Sequence, residues 1–278
     1  MSQSTQQPRV TFIGGGNMAQ ALMVGLQARA FPMAQITVID PDQGKHAHLH
    51  QTLGVGTSDS LSPAALAADV IVLAVKPQQL HSVAQALAPL LQQQLLISVA
   101  AGIRTDDLCR WLQGYATLIR TMPNTPAQIQ AGITGAYALP AVSAAQRAMA
   151  DDLLQAAGEV VWLEDESQLD AVTAISGSGP AYVFLLIEAL TAAGVALGLS
   201  EAQSQQLSLA TFKGASLLAA GSSTPIATLR EQVTSKGGTT EQGLLSLKQH
   251  DIHAIMQHAA AQAARRAKEL GDQLGAQA

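Results

Sequence analysis

Short, continuously apolar runs recur through the first half of the chain, at residues 10–13, 36–39, 70–75, 95–99 and 117–119. Between them lie stretches whose apolar residues return at helical spacing, such as 18–28, 78–91 and 105–112. Runs that stay apolar instead of alternating suit strands buried on both faces, and their alternation with helices is the rhythm of a doubly wound parallel sheet. Residues 132–138 and 160–163 read as two edge strands around a helix over 143–157. From Asp165 onward no convincing strand remains, and the text is Ala/Leu-rich helix broken at SGSGP, GLS, GSSTP, SKGG and KQHD. The pattern predicts an α/β domain over residues 1–164 and an all-helical domain over 165–278. With no internal repeat and no low-complexity linker, the boundary near Glu164 should be tight.

Composition narrows the class. A length of 278 residues exceeds what one domain usually needs. Aromatics make up only 3%, so the core must be built from Ala, Leu, Val and Ile. A net charge of −5 without Lys/Arg runs argues against a nucleic-acid partner. The apolar run over 181–199 approaches membrane length, but Glu188 interrupts it. A mid-bilayer carboxylate costs roughly 2.5–3.5 kcal/mol, and Gly194 and Gly198 weaken the run further, so a helix buried in protein is expected and no membrane partner. Cys109 stands alone, no secretory pattern opens the chain, and a cytoplasmic protein with a short polar tail over 1–7 is the expectation.

The first apolar run ends in Gly14-Gly15-Gly16-Asn17-Met18-Ala19, which fits G-x-G-x-x-A between a strand and a helix. Gly14 allows the tight turn, Gly16 lets a pyrophosphate approach the backbone at the helix N-terminus, and Ala19 permits close helix-to-strand packing, as in a Rossmann-like dinucleotide cradle. Asp40 ends the second run. An acid there accepts hydrogen bonds from an adenosine ribose and repels a 2′-phosphate, so taken alone it favours NAD(H) over NADP(H); it also suits an N-cap in the turn Asp40-Pro41-Asp42. Two later loops follow strands at the same edge, Ala74-Val75-Lys76-Pro77 and RTMPNTP over 120–126. Prolines stiffen both. Lys76 is either a phosphate or ribose contact or a solvated charge, and Asn124 either a polar ligand for substrate or nicotinamide or a turn residue.

In the helical half, VTSKGGTTEQGL places Gly237-Gly238 between two amphipathic stretches and follows it with Thr239 and Thr240. Glycines expose bare N–H groups and the next helix opens with unpaired donors, which builds a pocket for a small carboxylate; a plain helix corner with a Thr N-cap reads the same residues without function. SGSGPAY over 176–182 opens the long apolar helix with small residues, suited either to close ligand approach or to ordinary Ser caps and a proline in the first turn.

Taken in order, GGGNMA, AVKP, SVAAG, RTMPNTP, SGSGPAY and TSKGGTTEQGL make the chain resemble the pyrroline-5-carboxylate reductases over nearly its whole length. The resemblance implies a nucleotide-binding domain, a helical dimerisation domain, and reduction of 1-pyrroline-5-carboxylate to L-proline by NADPH or NADH, in homodimers that assemble further, up to decamers. It also implies that Ile13, Gly14, Gly15, Gly16, Asn17 and Met18 hold the pyrophosphate, that Ala74, Val75, Lys76 and Pro77 line the cofactor edge, and that Ala100 and Ala101 approach the nicotinamide, with Asn124 near the ring. The substrate then falls on Ser235, Gly238, Thr239 and Thr240, with the Thr240 hydroxyl near the ring nitrogen as the catalytic group. Lys236 and Asp40 depart from the family pattern, the first in pocket charge and the second in cofactor choice.

The motifs supply no evident His, Lys or carboxylate acid for the proposed pocket, Lys236 being read as a change in pocket charge, and an imine bound as its iminium needs little more than alignment with the hydride donor. β-Hydroxyacid dehydrogenases share the layout but carry a Lys in the helix after the glycines, where this chain reads Tyr182-Val183-Phe184. That oxidoreductase and a non-catalytic dinucleotide-binding scaffold are the alternatives. In a helix only His46 and His50 of the HAHLH string share a face and no further ligand completes a shell, so no metal is expected. The apolar residues over 183–187 and 207–218 suit a dimer interface.

Overall fold

In the computed structural model residues 7–276 are described, so most of the polar tail over 1–7 lies outside them. The chain packs as two compact units: Met1–Ser178 with Ala263–Ala278, and Gly179–Gln262. The packing division thus falls after Ser178, later than Glu164, and the final turns of the last helix join the first unit.

The first unit is built on an eight-stranded sheet in the order β3-β2-β1-β4-β5-β6-β7-β8. The strands are β1 (Val10–Ile13), β2 (Ile36–Ile39), β3 (Gly56–Ser58), β4 (Val70–Leu73), β5 (Leu95–Ser98), β6 (Leu118–Met122), β7 (Gly132–Ala138) and β8 (Gly158–Trp162). All pairs are parallel except β6 with β7. The apolar runs therefore mark the strands, and β3, with only three residues and no apolar side chain, is the one their pattern did not signal. Helices α1 (Asn17–Ala28), α2 (Gln43–Leu53), α3 (Pro77–Leu87), α4 (Thr105–Trp111) and α5 (Ala144–Leu154) cover the sheet. The two-residue period of the strands sorts their side chains onto two cores. Val10, Phe12, Val38, Val72 and Ile97 pack with α1, α2 and α5. Ile13, Ile39, Leu73 and Leu96 pack with Leu80, Ala84 and Leu87 of α3 and with Leu108 and Trp111 of α4.

Sequence breaks at SGSGP, yet the structure does not. Residues Gln168–Ala196 form one helix, in which α6 (Gln168–Val172) passes through a wider π turn at Thr173–Gly177 into α7 (Gly179–Ala196). The physical reason lies in Pro180, which has no N–H to give to the carbonyl of Ser176. A π turn widens the backbone there, Ser178 N–H donates to Thr173 O at 2.8 Å, and the helix absorbs the proline instead of ending.

The second unit holds α7, α8 (Glu201–Ala220), α9 (Ile226–Gln232), α10 (Thr239–Gln249) and the start of α11 (Ile252–Gly275). Ser200 opens α8 with a capping box to Gln203. α7 and α8 approach closely because Gly194 has no side chain: a Cβ there would lie 2.7 Å from the buried Ser204 Oγ. The expectation of a buried apolar helix fails in the single chain, for no residue of α7 is buried. Phe184 and Leu185 stand 61% and 63% exposed, and Leu217 and Leu218 of α8 are equally bare.

Candidate active site

The glycine loop turns at the centre of the sheet, where β1 is flanked by β2 and β4 and the connections diverge to opposite sides, the place where open α/β sheets take ligands. Gly14 adopts φ +100°, donates its N–H to Ile39 O at 2.8 Å, and a Cβ on it would fall 2.7 Å from the carbonyl oxygen of Ala74. Gly15 donates to Asp40 Oδ2 at 2.9 Å, while Gln20 Nε2 donates to the Gly15 carbonyl at 2.9 Å. Gly16 is the N-cap of α1 without a side-chain cap, and a Cβ built on it meets nothing within 4 Å. Open space thus lies over a helix start whose first N–H groups, from Asn17 and Met18, have no intrahelical acceptor, which fits a pyrophosphate. Ala19 is fully buried, as close packing requires.

Asp40 is 5% exposed and does not cap the next helix; Asp42 does, accepting from Gly44 N–H at 3.0 Å. The Asp40 carboxylate instead ties the cradle together. Oδ2 takes Gly15 N–H and the Lys45 ammonium, the latter at 2.9 Å, and Oδ1 takes Asp42 N–H at 3.0 Å. Burial pushes its pKa up, but these donors and the Lys45 charge outweigh burial together and hold it below the ordinary carboxylate value.

The other cofactor-edge residues divide by exposure. Ala74 and Val75 are half-buried beside the glycine loop, and Pro77 starts α3, whose N-cap is Lys76. Lys76 is exposed with its charge in solvent. Ala101 is exposed, but Ala100 is 3% exposed and packs in the core with Ile13 and Leu73, so its side chain does not face a ligand.

Asn124 is only 9% exposed and both ends of its amide are used. Oδ1 accepts Ile133 N–H at 2.9 Å, and Nδ2 donates to Ser176 O at 3.2 Å. That carbonyl is the one Pro180 orphans, so RTMPNTP and SGSGP, unrelated in sequence, meet as acceptor and donor. Nearby, Arg120 reaches Glu166 at 2.7 Å, and Glu166 also takes the N–H and hydroxyl of Thr105 at the start of α4. Burial together with Asp106 and Glu166 raises the Cys109 thiol above its usual value.

The carboxylate corner belongs to the second unit. Gly237 takes φ +74°, and Gly238, not a threonine, is the N-cap of α10, with no side chain capping it. Gly238 N–H donates to Ser235 O at 3.0 Å, closing the turn, so it is not one of the open donors. Gly237 N–H is held by Glu241 Oε2 at 2.6 Å. The remaining donors are the first-turn N–H groups of Thr239 and Thr240, whose exposed side chains make no cap. Lys236 is exposed beside them.

Sequence reading missed Lys45, Gln20 and Glu241. Lys45 carried a signal, a cation in the turn after the acid that ends β2; Gln20 and Glu241 acquire their roles only through the backbone turns they tie.

A doubly wound sheet with an open glycine cradle at its switch point, joined to an all-helical unit, defines a two-domain nicotinamide-dependent oxidoreductase. Residues 9–102 match the family model described as NADP oxidoreductase, coenzyme F420-dependent, and residues 166–270 the one described as pyrroline-5-carboxylate reductase dimerisation. A pyrroline-5-carboxylate reductase of Pseudomonas aeruginosa is 46% identical over 96% of this chain and 98% of its own. The solved structure of one from Coxiella burnetii, 39% identical, matches 95% of this chain and 99% of that one with a TM-score of 0.92. That of the Plasmodium falciparum enzyme with NADP bound, 30% identical, covers 95% and 98% with a TM-score of 0.81. The chain belongs to the pyrroline-5-carboxylate reductase family, enzymes that reduce 1-pyrroline-5-carboxylate to L-proline with NADPH or NADH, the last step of proline biosynthesis. Hydroxyacid chemistry is not favoured, and the next lysine along the chain after that helix, Lys213, lies on α8.

Proposed function

We propose that this chain performs the reduction with the dinucleotide pyrophosphate on Gly14–Met18 and the imino-acid carboxylate on the first turn of α10. The observation that carries the second half is the uncapped start of that helix: Gly238 opens α10 without a side-chain acceptor, leaving the Thr239 and Thr240 N–H groups and the helix dipole for an anion. The Glu241 carboxylate accepts the neighbouring Gly237 N–H at 2.6 Å, so the turn before the helix already holds one anion. The cofactor, when bound, supplies the hydride; the chain aligns the ring and excludes competing poses. Thr240, second in the helix, offers a hydroxyl oxygen that accepts the iminium N–H and so orients the ring; hydride addition to the ring carbon then leaves a neutral secondary amine, which takes its further proton from solvent.

On this reading residues 1–164 serve the cofactor and 165–278 the substrate and subunit contacts, a division that the two family matches support. The bare apolar faces of α7 and α8 meet a second copy of the chain, and such dimers build larger rings up to decamers. Lipid is a poorer cover because Glu188 lies within the same helix. Neither nucleic acid nor membrane is then a partner, and reduced nicotinamide with a single thiol suits the cytoplasm.

Thr240→Ala tests the site. It is expected to lower kcat about a hundredfold while leaving the dissociation constant for NADPH unchanged, with Thr240→Ser recovering most of the rate. Equal loss of turnover and cofactor binding, or no loss, would assign the corner a purely structural role.

A further inference from the structure

Resting on the cradle reading above, we propose that Lys45 sets cofactor specificity: by standing on the buried Asp40 carboxylate it lets the adenosine end of the site take a 2′-phosphate as well as a 2′-hydroxyl. An acid at the end of β2 ordinarily excludes the phosphorylated cofactor, because two anions would share one pocket, and welcomes a ribose diol with its two oxygens. Here that carboxylate is largely engaged. Of its roughly four acceptor sites, Oδ2 takes Gly15 N–H and Lys45 Nζ, both at 2.9 Å, and Oδ1 takes Asp42 N–H at 3.0 Å. The two partners differ in freedom. The Asp40 side chain is 7% exposed and fixed by backbone donors, whereas Lys45 is 41% exposed on the first turn of α2.

Every charged group around this point bears on the outcome. Asp42 Oδ2 lies 3.9 Å from Lys45 Nζ, and Asp59 is drawn to the same rim by Gln43 at 3.4 Å. His46 Nε2 is bonded to the Asp40 carbonyl at 2.7 Å, away from the carboxylate. Against these three acids Lys45 is the single cation of the cluster among the described residues. Its long stem lets the ammonium lean from Asp40 towards a phosphate without leaving the acid uncompensated, sharing itself between the two anions. With an unphosphorylated ribose it stays on Asp40, and the free lone pair of Oδ1 serves a hydroxyl. The pairing would let a chain carrying the acid typical of NAD sites take the phosphorylated cofactor as well.

The test is binding, not turnover. Calorimetry with 2′,5′-ADP and with 5′-AMP on the intact wild type, Lys45→Met and Lys45→Arg separates the contributions, and thermal melts of each variant report on folding. Lys45→Met is expected to weaken 2′,5′-ADP about tenfold while changing 5′-AMP less than about twofold, with Lys45→Arg close to wild type. The 2′,5′-ADP loss should shrink in raised salt, since the contact is half-exposed. Equal weakening of both fragments, or an unchanged ratio, overturns the role of Lys45 while leaving the cradle intact. Failure of the wild type to bind either fragment overturns the cradle itself, and this inference with it.

Discussion

Asn124, named for a ligand, has both ends of its amide engaged by the fold. Its carbonyl and amide ends answer two backbone groups that have no other use, Ile133 N–H and the Ser176 carbonyl left by Pro180. Truncation strands both inside protein, and each buried unpaired group costs on the order of 1–3 kcal/mol. Asn124→Ala is therefore expected to destabilise by about 2–4 kcal/mol, measured by denaturant unfolding. Kinetics should show the loss mainly as lowered stability, with the KM for cofactor little changed; a selective rise in that KM would return Asn124 to the nicotinamide. The sequence contained the pieces of this arrangement, an Asn between prolines and a Pro after Ser-Gly-Ser-Gly, but nothing along the chain said that residues 52 apart would pair. Asp40 tells the same story: its position at the end of β2 was legible, while its engagement by Gly15, Asp42 and Lys45 required the loop to fold back on it.

At the level of elements, the cradle is only as well placed as α1. That helix rests on the short 3₁₀ turn Gln155–Ala157 through Gly25, where an added Cβ would come within 1.9 Å of the Ala156 carbonyl oxygen, so no side chain fits without the helix moving. Because the N-terminus of α1 carries the Asn17 and Met18 donors, displacement at its middle should be felt at the pyrophosphate. Gly25→Ala is expected to cost about 1–3 kcal/mol of stability, the usual penalty of overpacking, and to weaken NADPH binding severalfold in the fraction that remains folded. Calorimetry on the folded variant decides; an unchanged dissociation constant would show that α1 pivots without disturbing its own start. Strand positions were readable because buried parallel strands must be continuously apolar. The π turn was not, since Gly and Pro signal a break, and only the tertiary support of Asn124 and the wider turn keeps α6 and α7 continuous.

Across the whole molecule, the second unit exposes more apolar surface than a lone soluble domain carries, concentrated on α7 and α8. The match of residues 166–270 to a dimerisation family is consistent with a second copy as the proposed cover. Leu185→Glu with Leu217→Glu should shift sedimentation to a smaller species. The wild-type melting temperature should fall on about hundredfold dilution, as linkage demands of a subunit-stabilised fold. A wild type that sediments as a monomer with a dilution-independent melt would contradict the interface. The helix expected to be buried in protein is bare in the single chain, which fits the expectation that the residues over 183–187 and 207–218 are covered by a second copy.

By itself the sequence determined the alternation of strands and helices, the glycine turn that only residues without Cβ can make, and the order of motifs that marks the family, because these depend on local sterics and on periodicity. Only the tertiary structure decided where each polar group's hydrogen bonds go. It placed Asp40 under Lys45, Asn124 under the carbonyl freed by Pro180, and Gly238 as the cap of α10. The Asn124–Ser176 pairing joins residues 52 apart, and the energy of such a pairing exists only after burial has removed the water that would otherwise satisfy its groups.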